Sequence, residues 1–172
     1  MAYVSQNKFE NTEPEAREIW NQQVRDHSRM TNMKKTLAHS SNALRAYMEW
    51  YPLKDEVAEF TGERAAILFA HAISAQNECL ICSTFFRRIL FDWGENPDDL
   101  KLDETEQILV KYGIGLAKEP HNISPDLMAK LKRRFSEKEI VSLTAFGGIM
   151  IATNLFNDAL KIELDDYLFQ YK

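Results

Sequence analysis

The feature that most constrains the fold is the stretch Ala65–Ile73, which reads Ala-Ala-Ile-Leu-Phe-Ala-His-Ala-Ile. A helix that is apolar nearly all round cannot face water and must be buried. The chain has 172 residues, the size of one ordinary domain. Hydrophobic residues make up 45% of it, which provides enough material for a core around such a helix. We therefore expect one domain, residues 1–172, built around this segment.

Helix signals recur along the rest of the chain, whereas alternating β-branched runs joined by tight glycine turns are missing. Capping residues predict helix starts at Thr12, Thr31, Asp103, Ser124 and Ser136. The predicted helices cover about 12–25, 31–50 (ending before Pro52), 63–76, 79–91, 103–117, a short segment from 124, and 136–155. Residues 1–12 are expected to form an extended N-terminal arm. The prediction is an all-α fold, a bundle of six to seven helices.

The acidic balance of the chain limits its partners. The net charge is −5, and an acidic protein repels phosphate backbones, so we expect no nucleic-acid partner. The one basic cluster is typical of a solvated helix face and is formed by Lys130, Lys132, Arg133 and Arg134. Residues 1–13 contain no apolar signal segment, and the apolar stretches Ala65–Ala70 and Ala145–Thr153 are shorter than the ~20 residues that span a bilayer. We expect no membrane partner and a cytoplasmic location.

The chain has two cysteines, Cys79 and Cys82, which lie three positions apart at the predicted start of a helix. At this spacing the two side chains occupy neighbouring positions on one helix face. The helix N-terminus favours a thiolate, which attacks peroxides or disulfides before its neighbour closes an internal disulfide. The pair is therefore interpreted as a redox-active dithiol. Two alternatives stay open: half of a zinc site, for which two further ligands are not at hand, and two ordinary buried cysteines.

Glu78 precedes the pair and acts against the helix terminus. A carboxylate beside Cys79 disfavours a second negative charge and raises the pKa of that thiol, whereas the helix dipole lowers it. Cys82 is farther along the chain and is expected to feel Glu78 less. The sequence leaves the sign of the net effect at Cys79 open.

Two parts of the chain carry a resemblance. The first is Glu-Arg-Ala-Ala-Ile-Leu-Phe-Ala at 63–70, followed by Asn-Glu-Cys-Leu-Ile-Cys at 77–82. The second is Phe-Ser-Glu-Lys-Glu-Ile-Val at 135–141, followed by Asn-Leu-Phe-Asn-Asp-Ala-Leu at 154–160. Together they resemble the core and the final helix of the carboxymuconolactone decarboxylase / AhpD-like alkylhydroperoxidase family, in its peroxidase-related branch. The resemblance covers most of residues 31–166.

The resemblance implies an AhpD-like helical bundle that forms a homo-oligomer. A trimer or a hexamer is favoured, and a dimer is the alternative. The resemblance also implies thiol-dependent reduction of a peroxide or a disulfide substrate, with a thiol reductant as partner. By similarity Cys82 would meet the peroxide, and Cys79 would resolve the oxidised Cys82 and exchange with the reductant. No cofactor and no metal are expected.

The chain departs from the family pattern at the residues of its proton relay. The position of the family's Glu is Ile67, and the position of its His is Phe86. A third position, between the two cysteines, is His in some members and is Ile81 here. The relay is therefore absent, and slow turnover is expected.

Three polar residues are candidate auxiliary groups: His71, Glu63 and Glu78. A lone His on an apolar helix is commonly a hydrogen-bonded core residue, so this role stays open for His71. An acidic residue in the first turn of a helix commonly favours the helix dipole, so this role stays open for Glu63.

Phe85, Phe86 and Phe146 recur at helical spacing and form either core or the wall of an apolar pocket beside the thiols.

The predicted function is a CxxC-dependent thiol–disulfide oxidoreductase or a weak peroxidase of the alkylhydroperoxidase type. The alternative is a non-enzymatic redox sensor or an oligomeric binding protein on the same fold. Self-association is expected because a short chain with a wholly apolar helix needs much of its surface to cover that helix.

Overall fold

A computed structural model describes residues 1–172 and contains helices and turns but no strand. The nine α-helices, in chain order, are α1 Pro14–His27, α2 Asn32–Leu37, α3 Ser41–Met48, α4 Trp50–Thr61, α5 Glu63–Gln76, α6 Leu80–Asp92, α7 Glu104–Lys118, α8 Pro125–Arg134 and α9 Glu137–Ala159. Short 3-10 turns cover Phe9–Asn11, Pro120–Asn122 and Asp166–Tyr171. The all-α prediction is confirmed, with more helices than the six to seven expected.

The centre of the bundle is α5, whose bounds match the predicted ones. Nine of its residues are buried, including the whole run from Ala65 to Ala70. It packs against α4, α6, α7 and α9, so other helices of the same chain cover it on several sides. The apolar segment therefore does not depend on a second subunit for its burial.

Four of the predicted capping residues do begin helices in the structure. Thr31 and Ser124 each accept a hydrogen bond from the backbone N–H three residues later. Asp103 and Ser136 form reciprocal capping boxes with Glu106 and Glu139. These contacts satisfy N–H groups that a helix leaves without internal partners.

The predicted helix over 31–50 is wrong, because three helices occupy this part of the chain and its continuation. The first ends at Leu37, after which Ser40 caps α3 by accepting a hydrogen bond from the Ala43 N–H. Pro52 does not end a helix. It lies in the first turn of α4, where its missing N–H costs no hydrogen bond.

The predicted cap at Thr12 is also wrong. The Thr12 hydroxyl donates to the Lys8 carbonyl at 2.8 Å and closes the turn before α1. Glu13 occupies the N-cap position without a capping hydrogen bond. Its carboxylate instead accepts a hydrogen bond of 2.5 Å from the Ser41 hydroxyl, which joins α1 to α3.

Two backbone–backbone hydrogen bonds join the N-terminal segment before α1 to later parts of the chain. The Tyr3 N–H donates to the Leu160 carbonyl at 3.0 Å, and the Asn7 N–H donates to the Lys35 carbonyl at 3.1 Å. These bonds lay the segment across the C-terminal end of α9 and across α2.

The last long helix, α9, has one face in the core and one face outside. Phe146 and Met150 are buried, whereas Val141 and Leu155 are 67% and 68% exposed. By length and composition alone α9 could cross a membrane, with a mean hydropathy of 1.5 over its most apolar 18-residue window. The core helix of a soluble protein meets the same criterion, and 39% of that window is buried inside the bundle.

Two adjacent glycines of α9 have opposite surroundings. A Cβ at Gly147 would lie 2.7 Å from Cδ1 of Leu116 and 3.1 Å from Cζ of Phe69. A Cβ at Gly148 would have no neighbour within 4 Å. Only Gly147 therefore permits the close approach of α9 to α5 and α7.

We predict that Gly147→Ala lowers the free energy of unfolding by about 1–3 kcal/mol, because the new methyl group overpacks the core. Gly148→Ala is the matched control and should raise it by up to ~1 kcal/mol, because alanine restricts the unfolded chain and favours the helix. Urea unfolding followed by circular dichroism measures both. Equal effects of the two changes would contradict the packing described for Gly147.

Candidate functional site

The two cysteines lie at the junction of α5 and α6. The turn between these helices passes through Glu78, whose backbone is left-handed with φ of 57°. Cys79 is the N-cap residue of α6, and its N–H donates to the Ser74 carbonyl at 3.0 Å. Both thiols are free, with Cys79 fully buried and Cys82 6% exposed. The helix start predicted near Cys79 is confirmed.

The amide side chains of α9 cover the thiols. The Asn157 Nδ2 donates to the Cys82 sulfur at 3.2 Å, while the Oδ1 of the same buried side chain has no partner. Asn154 also interacts with Cys82 and is itself held by two hydrogen bonds. Its Oδ1 accepts from Asn77 at 2.9 Å, and its Nδ2 donates to Ser74 at 3.2 Å.

These two asparagines are functional candidates that the sequence reasoning missed, although both lie in the segment that carried the family resemblance. The sequence feature that could have identified them is their spacing of three residues on a buried helix. That spacing places two polar side chains on one face, where each needs a partner. Nothing in the sequence identifies a cysteine as that partner.

Each thiol has the largest single effect on the other. The Cys82 thiol donates to the Cys79 sulfur, and this hydrogen bond lowers the pKa of Cys79 although burial opposes it. The same interaction raises the pKa of Cys82 well above its ordinary value, and burial raises it further. Hydrogen bonds from Asn154 and Asn157 act in the opposite direction on Cys82. The two thiols therefore share the proton of this hydrogen bond, and the thiolate forms first at Cys79.

Asp158 is a further group beside the thiols that the sequence reasoning missed. Its carboxyl lies within hydrogen-bonding reach of Cys79 and opposes ionisation of that thiol. Burial raises the pKa of Asp158, and the hydrogen bond from Cys79 offsets part of this effect. A carboxyl with a raised pKa next to a thiol can accept or return a proton.

A cavity of about 110 Å³ adjoins Cys82. Its walls are mostly hydrophobic and come from five α-helices and the C-terminal segment. They include Met33, Tyr47, Met48, Trp50, Ile81, Phe85, Phe86 and Met150. The polar side chains in the wall are Thr31, Lys34, Tyr51, Thr153, Asn157, Asp165 and Tyr167. Cys82 is thus the thiol that faces the cavity.

The three phenylalanines have different positions. Phe85 and Phe86 line the cavity, as one of the two sequence interpretations expects. Phe146 lies in the core, where its ring centre is 5.8 Å from that of Trp50 and 5.9 Å from that of Phe69. Ile67 is also a core residue and is 2% exposed.

The candidate auxiliary residues lie apart from the sulfur atoms. Glu63 is the first residue of α5, about 21 Å along the helix axis from its end near the thiols, and pairs with Lys54 at 3.0 Å. His71 interacts with Arg87 and Asp98, and burial lowers its pKa. Glu78 adjoins Cys79 in sequence, yet its exposed side chain lines a second cavity together with His71.

No group of three or more His, Cys, Asp or Glu side chains in residues 1–172 is arranged to hold a metal ion. The groups that surround the thiols are amides, a carboxyl and aromatic rings. Their chemistry suits proton sharing and the binding of an apolar molecule more than metal coordination.

The fold and the site together define a class: an all-α bundle with a buried dithiol at the start of an interior helix, facing an apolar cavity. The chain has the AhpD-like helical fold. It superposes on the crystal structure of an uncharacterized peroxidase-related protein from Ralstonia eutropha JMP134, described as an alkylhydroperoxidase AhpD core, with a TM-score of 0.79 and 14% identity. This match covers 98% of the chain and 94% of that protein.

A second similar structure is that of an uncharacterized peroxidase-related protein from Silicibacter sp. TM1040. The TM-score is 0.75 at 14% identity, with 99% of the chain and 96% of that protein covered. No family model and no curated protein matches the sequence.

We predict that the pKa values of the two thiols shift in opposite directions when the other cysteine is replaced by alanine. Cys82→Ala removes the hydrogen bond that lowers the pKa of Cys79, so this pKa should rise. Cys79→Ala removes the interaction that raises the pKa of Cys82, so this pKa should fall. The pH dependence of thiolate ultraviolet absorbance measures both, with the double alanine variant as the blank. Shifts of the same sign would contradict the shared proton.

Proposed function

We propose that the chain is a thiol-dependent peroxidase in which Cys82 attacks a peroxide within the cavity and Cys79 closes an internal disulfide. The observation that carries the proposal is the position of the Cys82 sulfur, between the apolar cavity on one side and its proton-sharing partner Cys79 on the other. The fold shared with two peroxidase-related proteins supports it.

The first step needs a thiolate at Cys82, although Cys79 is the thiol that ionises first. Because the Cys82 thiol donates to the Cys79 sulfur, its proton can pass to Cys79 as the attack begins. The Cys82 sulfur then bonds to the terminal peroxide oxygen, and the O–O bond breaks. This step oxidises Cys82 to a sulfenic acid and releases an alkoxide, which takes the proton from Cys79 and leaves as an alcohol.

The second step closes the disulfide. The Cys79 thiolate attacks the Cys82 sulfur, the S–O bond breaks, and the departing hydroxide takes a proton from Asp158 or from water. An external dithiol then reduces the disulfide and restores both thiols. Over the cycle one peroxide gains two electrons from one equivalent of the external dithiol.

Asn157 has two roles in this scheme. Its Nδ2 donates to the Cys82 sulfur and stabilises negative charge there. The same side chain lines the cavity, and its buried Oδ1 has no hydrogen-bond partner in the protein. In this scheme that oxygen accepts the O–H of a hydroperoxide. These contacts, together with the shared proton, would replace part of the work of the absent Glu and His.

We predict that peroxide consumption with dithiothreitol requires both cysteines and the Asp158 carboxyl. Cys82→Ser should abolish turnover, and Cys79→Ser should stop it at a trappable sulfenic acid. Asp158→Asn should slow it by about 10- to 100-fold, near the lower end for positioned acid–base groups because solvent reaches this carboxyl. Mass spectrometry of the oxidised wild type should find the loss of two hydrogens.

Two controls accompany these variants. Glu137→Gln removes another α9 carboxylate far along the helix from the thiols, and His71→Ala removes a side chain that faces Arg87 and Asp98. Both should leave the rate unchanged. A rate that persists in Cys82→Ser, or a rate that drops more in His71→Ala than in Asp158→Asn, would refute the scheme.

The second candidate is a redox sensor that oxidises without efficient turnover. The raised pKa of Cys82 and the full burial of Cys79 favour it, because both slow the attack on a peroxide and the exchange with a reductant. A sensor would form the disulfide once per chain and would not consume excess peroxide with dithiothreitol. The two unpaired thiols suit the reducing cytoplasm in either case.

We also propose that the chain forms a homo-oligomer through the outer face of α9. Val141 and Leu155 are exposed on this face, and Gly148 between them leaves open space beside the helix. Leu155→Glu should therefore yield a lighter particle than the wild type in light scattering, while Glu137→Gln should not. A wild-type mass of 20 kDa at micromolar concentration would rule out self-association.

A further inference from the structure

Lys34 is a buried cation in the wall of the same cavity. It is 5% exposed, although lysine is almost never buried without a charged partner. Its Nζ donates to the Gln23 side chain at 2.7 Å and to the Tyr51 hydroxyl at 2.7 Å. An ammonium group has three N–H donors, so these two neutral acceptors leave one donor without a protein partner.

No carboxylate forms an ion pair with Lys34. Asp165 is the acidic group that acts on it at longer range, and it also lines the cavity. The Asp165 carboxylate accepts the Asn32 N–H at 2.9 Å and lies near the positive charges of Arg29 and Lys35. Asp165 therefore interacts with two further cations and with the like charge of Asp166, so it is not an exclusive partner of Lys34.

Burial lowers the pKa of Lys34 to about 8, so the ammonium form still prevails at neutral pH. A buried charge without a counter-ion is costly, and an anion brought by a ligand would offset that cost. Because water is largely excluded from such a position, a charged hydrogen bond there is stronger than one at the surface.

We infer that the cavity binds a small apolar molecule that carries a carboxylate, with the carboxylate on Lys34 and the opposite part of the molecule toward Cys82. Lys34, Tyr51 and Cys82 line one continuous cavity, and the wall near Cys82 is formed by apolar and aromatic side chains. A molecule without an acceptor would leave the Lys34 donor unpaired, and a neutral acceptor would pair the donor but leave the charge without a counter-ion. This inference rests on the proposed function for the identity of the substrate class, a carboxylate-bearing organic hydroperoxide, but not for binding itself.

Binding can be tested without any redox chemistry. Hexanoate and hexanamide have the same carbon skeleton and differ in charge, and their binding can be followed by the fluorescence of Trp50 or by calorimetry. We expect hexanoate to bind the wild type at least about tenfold more tightly than hexanamide, the difference that a charged hydrogen bond of about 1.5 kcal/mol gives. Equal binding of the two molecules, or no binding of either, would overturn the inference.

Two lysine variants assign the preference to a residue. Lys34→Met keeps the length of the side chain and removes its charge, so the preference for hexanoate should disappear. Lys138→Met makes the same change at a side chain that is 84% exposed and outside the cavity, and should keep the preference. Retention of the preference in Lys34→Met would overturn the inference, because the carboxylate would then be bound elsewhere.

A kinetic arm separates this inference from the proposed function. Cumene hydroperoxide and its ring-carboxylated analogue should differ mainly in KM, in favour of the carboxylate, and Lys34→Met should remove the difference. If hexanoate binding depends on Lys34 but neither hydroperoxide is consumed, the carboxylate site stands and the proposed peroxidase function is refuted. Consumption of both hydroperoxides with equal KM in the wild type and Lys34→Met would retain the peroxidase and refute the carboxylate site.

Discussion

The burial of α5 is the constraint on which the rest of the structure depends. A helix that is apolar on nearly every side must be surrounded, and α4, α6, α7 and α9 provide that surround. The close approach of two of them requires residues without side chains. Gly113 on α7 and Gly147 on α9 both lie against Phe69, where a Cβ would be 3.0 Å or slightly more from its backbone or ring.

The thiol site is a consequence of this arrangement. The turn after α5 brings the start of α6 to the C-terminal half of α9, where Asn157 donates a hydrogen bond to Cys82. Cys79 and Cys82 occupy the first turn of α6, where free N–H groups favour negative charge. Asn154 and Asn157 belong to the covering helix and supply donors in a place that water hardly reaches. Burial raises the pKa of both thiols. The amide donors counteract this effect at Cys82, and the hydrogen bond from Cys82 counteracts it at Cys79.

Charge around the cavity has a consistent pattern. The sulfur end has two coupled thiols, of which Cys79 ionises first, whereas the Lys34 end has a buried cation that is hydrogen-bonded to neutral acceptors. Apolar and aromatic side chains separate the two ends. An amphipathic ligand would therefore have one defined orientation in this cavity, and orientation is what a reaction at one sulfur atom requires.

Local signals in the sequence are enough to locate several of the helices. The bounds of α5 follow from its composition, and the starts of α7 to α9 follow from a helix cap or a capping box within three or four residues. The prediction of one helix over 31–50 was wrong because the signals at Ser40 and Pro52 are ambiguous. Each of these residues is compatible with the start of a helix as well as with its interruption or end. The contacts of α1 with α3 favour the divided arrangement.

The composition of the site, in contrast, depends on how the helices pack. Cys79 and Cys82 were evident from their spacing, but Asn157 and Asp158 lie 75 or more positions later, and Lys34 lies 45 positions before Cys79. A partner on another helix leaves no trace in local periodicity, because packing angle and helix rotation determine which side chains meet. The same holds for His71 and Glu63. Both are close to the thiols in sequence, yet α5 directs one toward Arg87 and places the other at its far end. Helix geometry makes a neighbour in sequence a neighbour in space only at spacings of three or four residues.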